Sequence, residues 1–180
     1  MAKVTKAAKI VEKDPEIEFC WAAFCKMILR DAMTGESSLI GLMPTMQVTL
    51  QLPEDHPDDK INIQIGPGAI MALFRSAEPA KQKTVLDLDV TLSFPGQRQE
   101  AKAQLEFKPG GQFCQVCMAL AMVPMTVPTK IGTNKETAEI IWRLGNKELG
   151  RLKLPVNIEI LPIAKKSNEG DLPPLGESKE

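Results

Sequence analysis

The sequence predicts an all-β fold in which antiparallel strands close into two packed layers. Three observations carry this. Over residues 85–94, Leu86, Leu88, Val90, Leu92 and Phe94 alternate without a break against Asp87, Asp89, Thr91 and Ser93. Strand side chains project to opposite faces with period two, so this segment has one apolar face and one wet face. Similar alternating runs recur along the chain, separated by short Gly- and Pro-bearing turns. The composition, 43% hydrophobic and 25% charged over 180 residues, is that of a globular domain. An aliphatic row on one face needs a second apolar layer, and two packed sheets or a barrel supply it.

Taken in order, residues 1–15 are Lys- and Ala-rich and then charged, and are expected to form a flexible N-terminal arm. In the first strand Ile17, Phe19, Trp21, Ala23, Cys25, Met27 and Leu29 occupy every second position, with Glu18, Cys20, Ala22, Phe24, Lys26, Ile28 and Arg30 on the other side. A turn over 31–36 offers Gly35 for positive φ. The chain returns over 38–43, bends at Pro44 and continues with Met46, Val48, Leu50 and Leu52 on one face, which reads as one long antiparallel hairpin. Residues 53–60 form an acidic loop, and Ile61, Ile63 and Ile65 mark a short strand.

Over 67–78 the period changes. Ile70, Met71, Leu73, Phe74 and Ala77 fit helical spacing between Pro67 and Pro79, so a short helix is expected there, with an irregular strand as the alternative. The 85–94 strand ends at Pro95-Gly96-Gln97. Its hairpin partner carries Ala101, Ala103, Leu105 and Phe107 against Lys102, Gln104, Glu106 and Lys108. Residues 113–127 are almost continuously apolar, as in a central strand or one that crosses between layers. Ile140, Trp142 and Leu144 lead into Gly145-Asn146, and Leu152, Leu154, Val156, Ile158 and Ile160 return. The polar, Pro- and Gly-bearing tail over 164–180 is expected to be disordered. The expectation is therefore one domain over 16–163: an immunoglobulin-like antiparallel β-sandwich of seven or eight strands with at most one short helix. The disulfide-and-Trp signature of antibody domains is missing from it.

The run from Phe24 through Gly35 to Leu42, an apolar strand with a Gly, polar, Leu-Ile-Gly return, resembles the opening hairpin of an uncharacterised bacterial and phage-associated β-sandwich family. The strand ending Ser93-Phe94-Pro95-Gly96 and the hairpin across Gly145-Asn146 sit where such proteins have comparable elements. The resemblance spans 17–160. It implies a sandwich and brings no catalytic residues with it.

Several function classes are disfavoured by the totals. Lys plus Arg number 22 and Asp plus Glu 23, so the net charge of -1 creates no field for nucleic acid or an anionic membrane. Six Phe, two Trp and no Tyr provide few stacking platforms for bases or sugars. No apolar run reaches membrane-spanning length and the first residues lack a secretory core, which gives a cytoplasmic expectation. Four cysteines in a reducing compartment are expected to be free thiols or metal ligands.

Cys114-Gln-Val-Cys117 has the spacing of a zinc knuckle, and Cys20 with Cys25 would complete a four-thiolate set. Against that, 114–117 carries a strand pattern without a knuckle's turn. Residues three or five apart on a strand face opposite ways, so a bulge would be needed at both places. Burial as small hydrophobes is the expected role. His56, the sole histidine, sits among Glu54, Asp55, Asp58 and Asp59, a set lacking the ordered spacing and Gly of a calcium loop. Asp87 and Asp89 share a strand face, but a glycosidase pair would need a cleft, so solubility is the simpler reading. Neither Gly66-Pro67-Gly68 nor Pro109-Gly110-Gly111 ends as a phosphate loop does. The nine methionines are expected mainly in the core; any outside it would mark a binding patch. With no credible acid, base, nucleophile or cofactor loop, the expected function is non-enzymatic. A protein partner or a second copy would be met through a sheet edge or apolar patch, and a metal- or small-ligand-binding domain using the cysteines is the alternative.

Overall fold

The structure, a computed structural model, describes residues 16–33 and 37–163. The expected arm over 1–15, tail over 164–180 and turn residues 34–36 lie outside these. The described residues form eleven strands and no helix: β1 (Ile17–Arg30), β2 (Ser37–Leu42), β3 (Met46–Leu52), β4 (Lys60–Ile65), β5 (Gly68–Ser76), β6 (Thr84–Phe94), β7 (Gln97–Phe107), β8 (Phe113–Leu120), β9 (Val123–Pro128), β10 (Gly132–Leu144) and β11 (Lys147–Pro162). One sheet has the order β2-β1-β5-β8, a second the order β3-β11-β10-β6-β7, and β4 pairs with β9 in a third. All pairs are antiparallel except β3 with β11.

All three sheets contribute to one contiguous core. Leu88, Val90, Leu92 and Phe94 of β6, the row that the alternation singled out, are buried in it with Phe74 of β5 and Met125 of β9. Burying each such side chain stabilises by about 1.5–3 kcal/mol. At the centre Trp142 of β10 stacks on Phe19 of β1, with ring centroids 5.3 Å apart, and meets the edge of Phe74 at 6.3 Å. Gly150 of β11 makes this close approach possible, because a Cβ there would overlap the Phe19 ring. The Trp142 Nε1 is buried with no hydrogen-bond partner among the described residues. An orphaned donor of this kind costs about 1–3 kcal/mol, offset here by the ring contacts.

Five expectations are corrected. Residues 67–78 are not helical: β5 is a strand between β1 and β8, covered on both faces at Ala69, Ile70, Met71 and Ala72, and this double burial erased the period-two signal. The return strand does not extend a single hairpin, since Pro44 separates β2 from β3 and β3 joins the other sheet beside β11. A bulge between Phe19 and Trp21 shifts the faces of β1, so Ala22 and Phe24 turn inward while Trp21 is 38% exposed. The apolar run over 113–127 is two strands: β8 at a sheet edge, then β9 beside β4. With these divisions the strands number eleven rather than seven or eight.

The β6–β7 and β10–β11 hairpins form as expected. Gly96 and Gly145 take positive φ (67° and 57°) in their turns, a region that strains a residue bearing a Cβ.

Candidate functional site

Two unpaired strand edges face one another. β7 ends the five-stranded sheet and β8 ends the four-stranded one, and residues 108–112 join them. Where they are closest, the Glu106 N–H donates to Cys114 Sγ at 3.2 Å. In an antiparallel strand the N–H and C=O of one residue point the same way, and successive residues point oppositely. The outward bond of Glu106 therefore sets Gln104 and Lys102 outward as well, while Ala103 and Leu105 turn toward β6. A cleft of about 890 Å³ opens along this edge, lined by Lys102, Gln104 and Glu106 from β7, Gln115 and Cys117 from β8, and Arg30 and Ser37 from the β1–β2 hairpin.

The charges in this cleft are unequal. Glu106 is held by Lys83 at 3.1 Å. Arg30, Lys102 and Lys108 line the cleft with no carboxylate in salt-bridge range among the described residues. The Gln104 Nε2 donates to Asp87 Oδ1 at 3.0 Å, which fixes the Gln104 side chain along the wet face of the sheet. Burial pushes the Cys117 thiol above its ordinary value, against the opposing pull of the Arg30 charge and a hydrogen bond with Ser37. Burial likewise raises the Cys25 and Cys114 thiols. These thiols are protonated at neutral pH and are poor nucleophiles.

The cysteines do not assemble into one site. Cys114 is buried in the core and Cys117 exposed, as their odd spacing on an unbulged strand requires. Cys20 is exposed at the β1 bulge, and Cys25 is buried with its Sγ within 3.6 Å of the Ala69 carbonyl oxygen. Cys25 and Cys117 belong to strands on either side of β5, about 10 Å apart and beyond disulfide reach. Among the described residues no three His, Cys, Asp or Glu side chains lie close enough to hold a metal ion. His56 is used locally, its Nδ1 accepting the Asp58 N–H at 3.2 Å. Asp87 and Asp89 are exposed; Asp87 meets Gln104, and Asp89 lies between Lys102 and Arg143 in the sheet register. The methionines divide: Met46, Met71 and Met125 are buried, whereas Met27, Met33 and Met122 are exposed.

Of the residues that line the cleft, Cys114 and Cys117 were sequence candidates, as thiols, and the charged and amide residues of β7 were not. Lys102 and Gln104 read as the wet side of a strand, which they are. Only the topology places them opposite β8 and the β1–β2 hairpin.

No protein-family model matches the chain, and no curated protein matches it. Among solved structures, the N-terminal domain of PorA is similar at a TM-score of 0.24 and 10% identity, covering 78% of this chain and 97% of that one. A score so low carries no argument, and these comparisons make the opening-hairpin resemblance no more specific.

Proposed function

We propose that the chain is a non-enzymatic interaction domain, built as an immunoglobulin-like β-sandwich, that meets a protein partner through an exposed sheet edge. The strand order supports the architecture. β1, β5 and β8 follow the A-B-E order of such a sandwich, and β7, β6, β10 and β11 follow C′-C-F-G, in space and along the chain alike. The departures are β3 outside the G position, the small β4–β9 sheet, the lack of a D strand, and a central Trp on the F rather than the C strand. The observation that carries the function is the pair of facing edges β7 and β8, with backbone donors and acceptors of β7 turned into an open cleft.

Site-specific photo-cross-linking in cells tests the interaction reading. A photoreactive residue at Gln104 on the β7 edge, or at Ile40 on the β1–β2 hairpin, is expected to give a discrete protein adduct that the same group at Glu159 does not. Absence of a discrete adduct from both positions overturns it.

A further inference from the structure

The geometry points to the β7 edge as the docking strand for an extended, acidic segment of a protein partner, an inference that rests on the interaction-domain reading above. The backbone supplies the first half of the argument. Lys102 and Gln104 turn their N–H and C=O groups away from β6, and no backbone group among the described residues pairs with them on that side. Glu106, the next outward residue, is already occupied by Cys114 Sγ, so the free row begins at Gln104. At about 3.3 Å per residue the free 102–104 stretch spans roughly 7 Å, the length of about three residues of an added strand. Backbone pairing of this kind gives affinity without demanding a particular sequence.

Side chains supply the second half. An added strand would lie between Lys102 of β7, Lys108 just beyond it and Arg30 of the β1–β2 hairpin, three cations with no carboxylate in salt-bridge range among the described residues. Glu106, the one carboxylate that lines the cleft among the described residues, is paired with Lys83. The far wall is polar at alternate positions, with Gln115 and Cys117 exposed. Such a site selects against basic segments and draws acidic ones by charge complementarity. It also argues against a second copy of this chain at the same edge, since a second β7 would bring its own Lys102 and Lys108 against these. Lysines along an edge guard it from self-pairing while leaving it open to a partner of opposite charge.

The probe is a heptapeptide of alternating Asp and Val with a fluorescent label, measured by anisotropy against the full chain at low salt. A Lys-Val heptapeptide serves as the charge control. Residue-resolved amide exchange locates the binding. In the free chain the Lys102 and Gln104 amides are expected to exchange far faster than those of Ala103 and Leu105. The Asp-Val peptide should then protect Lys102 and Gln104, and the Lys-Val peptide should not bind. Gln104→Pro removes an outward N–H without breaking the β6–β7 ladder, so it should abolish binding in a folded chain, while Gln104→Ala keeps the N–H and should retain it. Reversing two charges with Lys102→Glu and Lys108→Glu should weaken binding about tenfold or more.

Slow exchange at Gln104 in the free chain would mean that the chain covers its own edge, and would overturn the inference. Equal binding by the Gln104→Pro variant, or no binding at millimolar peptide, would overturn it too. Protection at β2 or β3 instead would remove this site but leave the interaction-domain reading standing.

Discussion

The β6–β7 and β1–β2 hairpins are written in the same code and meet opposite fates. Each sets a row of apolar residues at alternate positions around a Gly-bearing turn, although Ile28 and Leu39 make the β1–β2 pattern less strict. In β6–β7 the apolar row is covered: Leu88 and Leu105 have no exposed surface. In the outer half of β1–β2 it is not. Met27, directly opposite Ile40, is 49% exposed, Ile40 43% and Leu42 60%. Alternation therefore specifies a strand with two faces, but the cover over the apolar face comes from elements distant in sequence. For β6 that cover is β1, β5 and β9; beyond Cys25, β1 has left β5 and pairs with β2 alone.

The sharpest way to break this comparison is to truncate one leucine in each hairpin. Leu88→Ala should cost about 2–5 kcal/mol in denaturant unfolding, whereas Leu42→Ala should stay within about 0.5 kcal/mol. Similar losses would mean that the β1–β2 face is covered after all. A smaller effect is expected where the hairpins' sheets touch. Gly150→Ala drives a Cβ into the Phe19 ring and should cost about 1–3 kcal/mol by overpacking, with Phe19→Leu in the same chain recovering part of the loss.

The smallest effect concerns the wet face of β6–β7. The Thr91 hydroxyl donates to Glu100 Oε2 at 2.8 Å, and Arg98 reaches the other carboxylate oxygen at 2.8 Å. These bonds, that of Thr91 first, hold the Glu100 carboxyl below its ordinary range. A carboxyl lowered on folding contributes stability that is full above its unfolded pKa and is lost as the pH falls through its folded one. The melting temperature should therefore decline on acidification below the ordinary glutamate value, and Glu100→Gln should make that decline shallower. Unchanged acid limbs would show that the contact is fully screened.

What was legible in the sequence follows the same division. The β6–β7 pairing and the β10–β11 turn at Gly145-Asn146 could be read directly, because local alternation and turn chemistry determine them. The opposite facing of Cys114 and Cys117 was equally local. The strand character of β5 was not legible, since burial on both faces leaves no period to detect. Nor was the β1 bulge at Phe19 and Trp21, where one extra residue moves Trp21 out of the core and Phe24 into it. The cleft was the least legible feature. Its cations come from β1, β7 and the segment after β7, and nothing in the spacing of Arg30, Lys102 and Lys108 announces that they converge.

The parallel partnership of β3 sets a timetable for assembly. Met46 lies opposite Val156, and among the described residues β11 is the sole neighbour of β3 in its sheet. On a ribosome β3 would emerge long before the strand it needs, and its seven residues would wait with their backbone groups solvated. Closing so large a loop is entropically slow. The docking of β3 into its sheet should thus wait for β11 to zip in between it and β10.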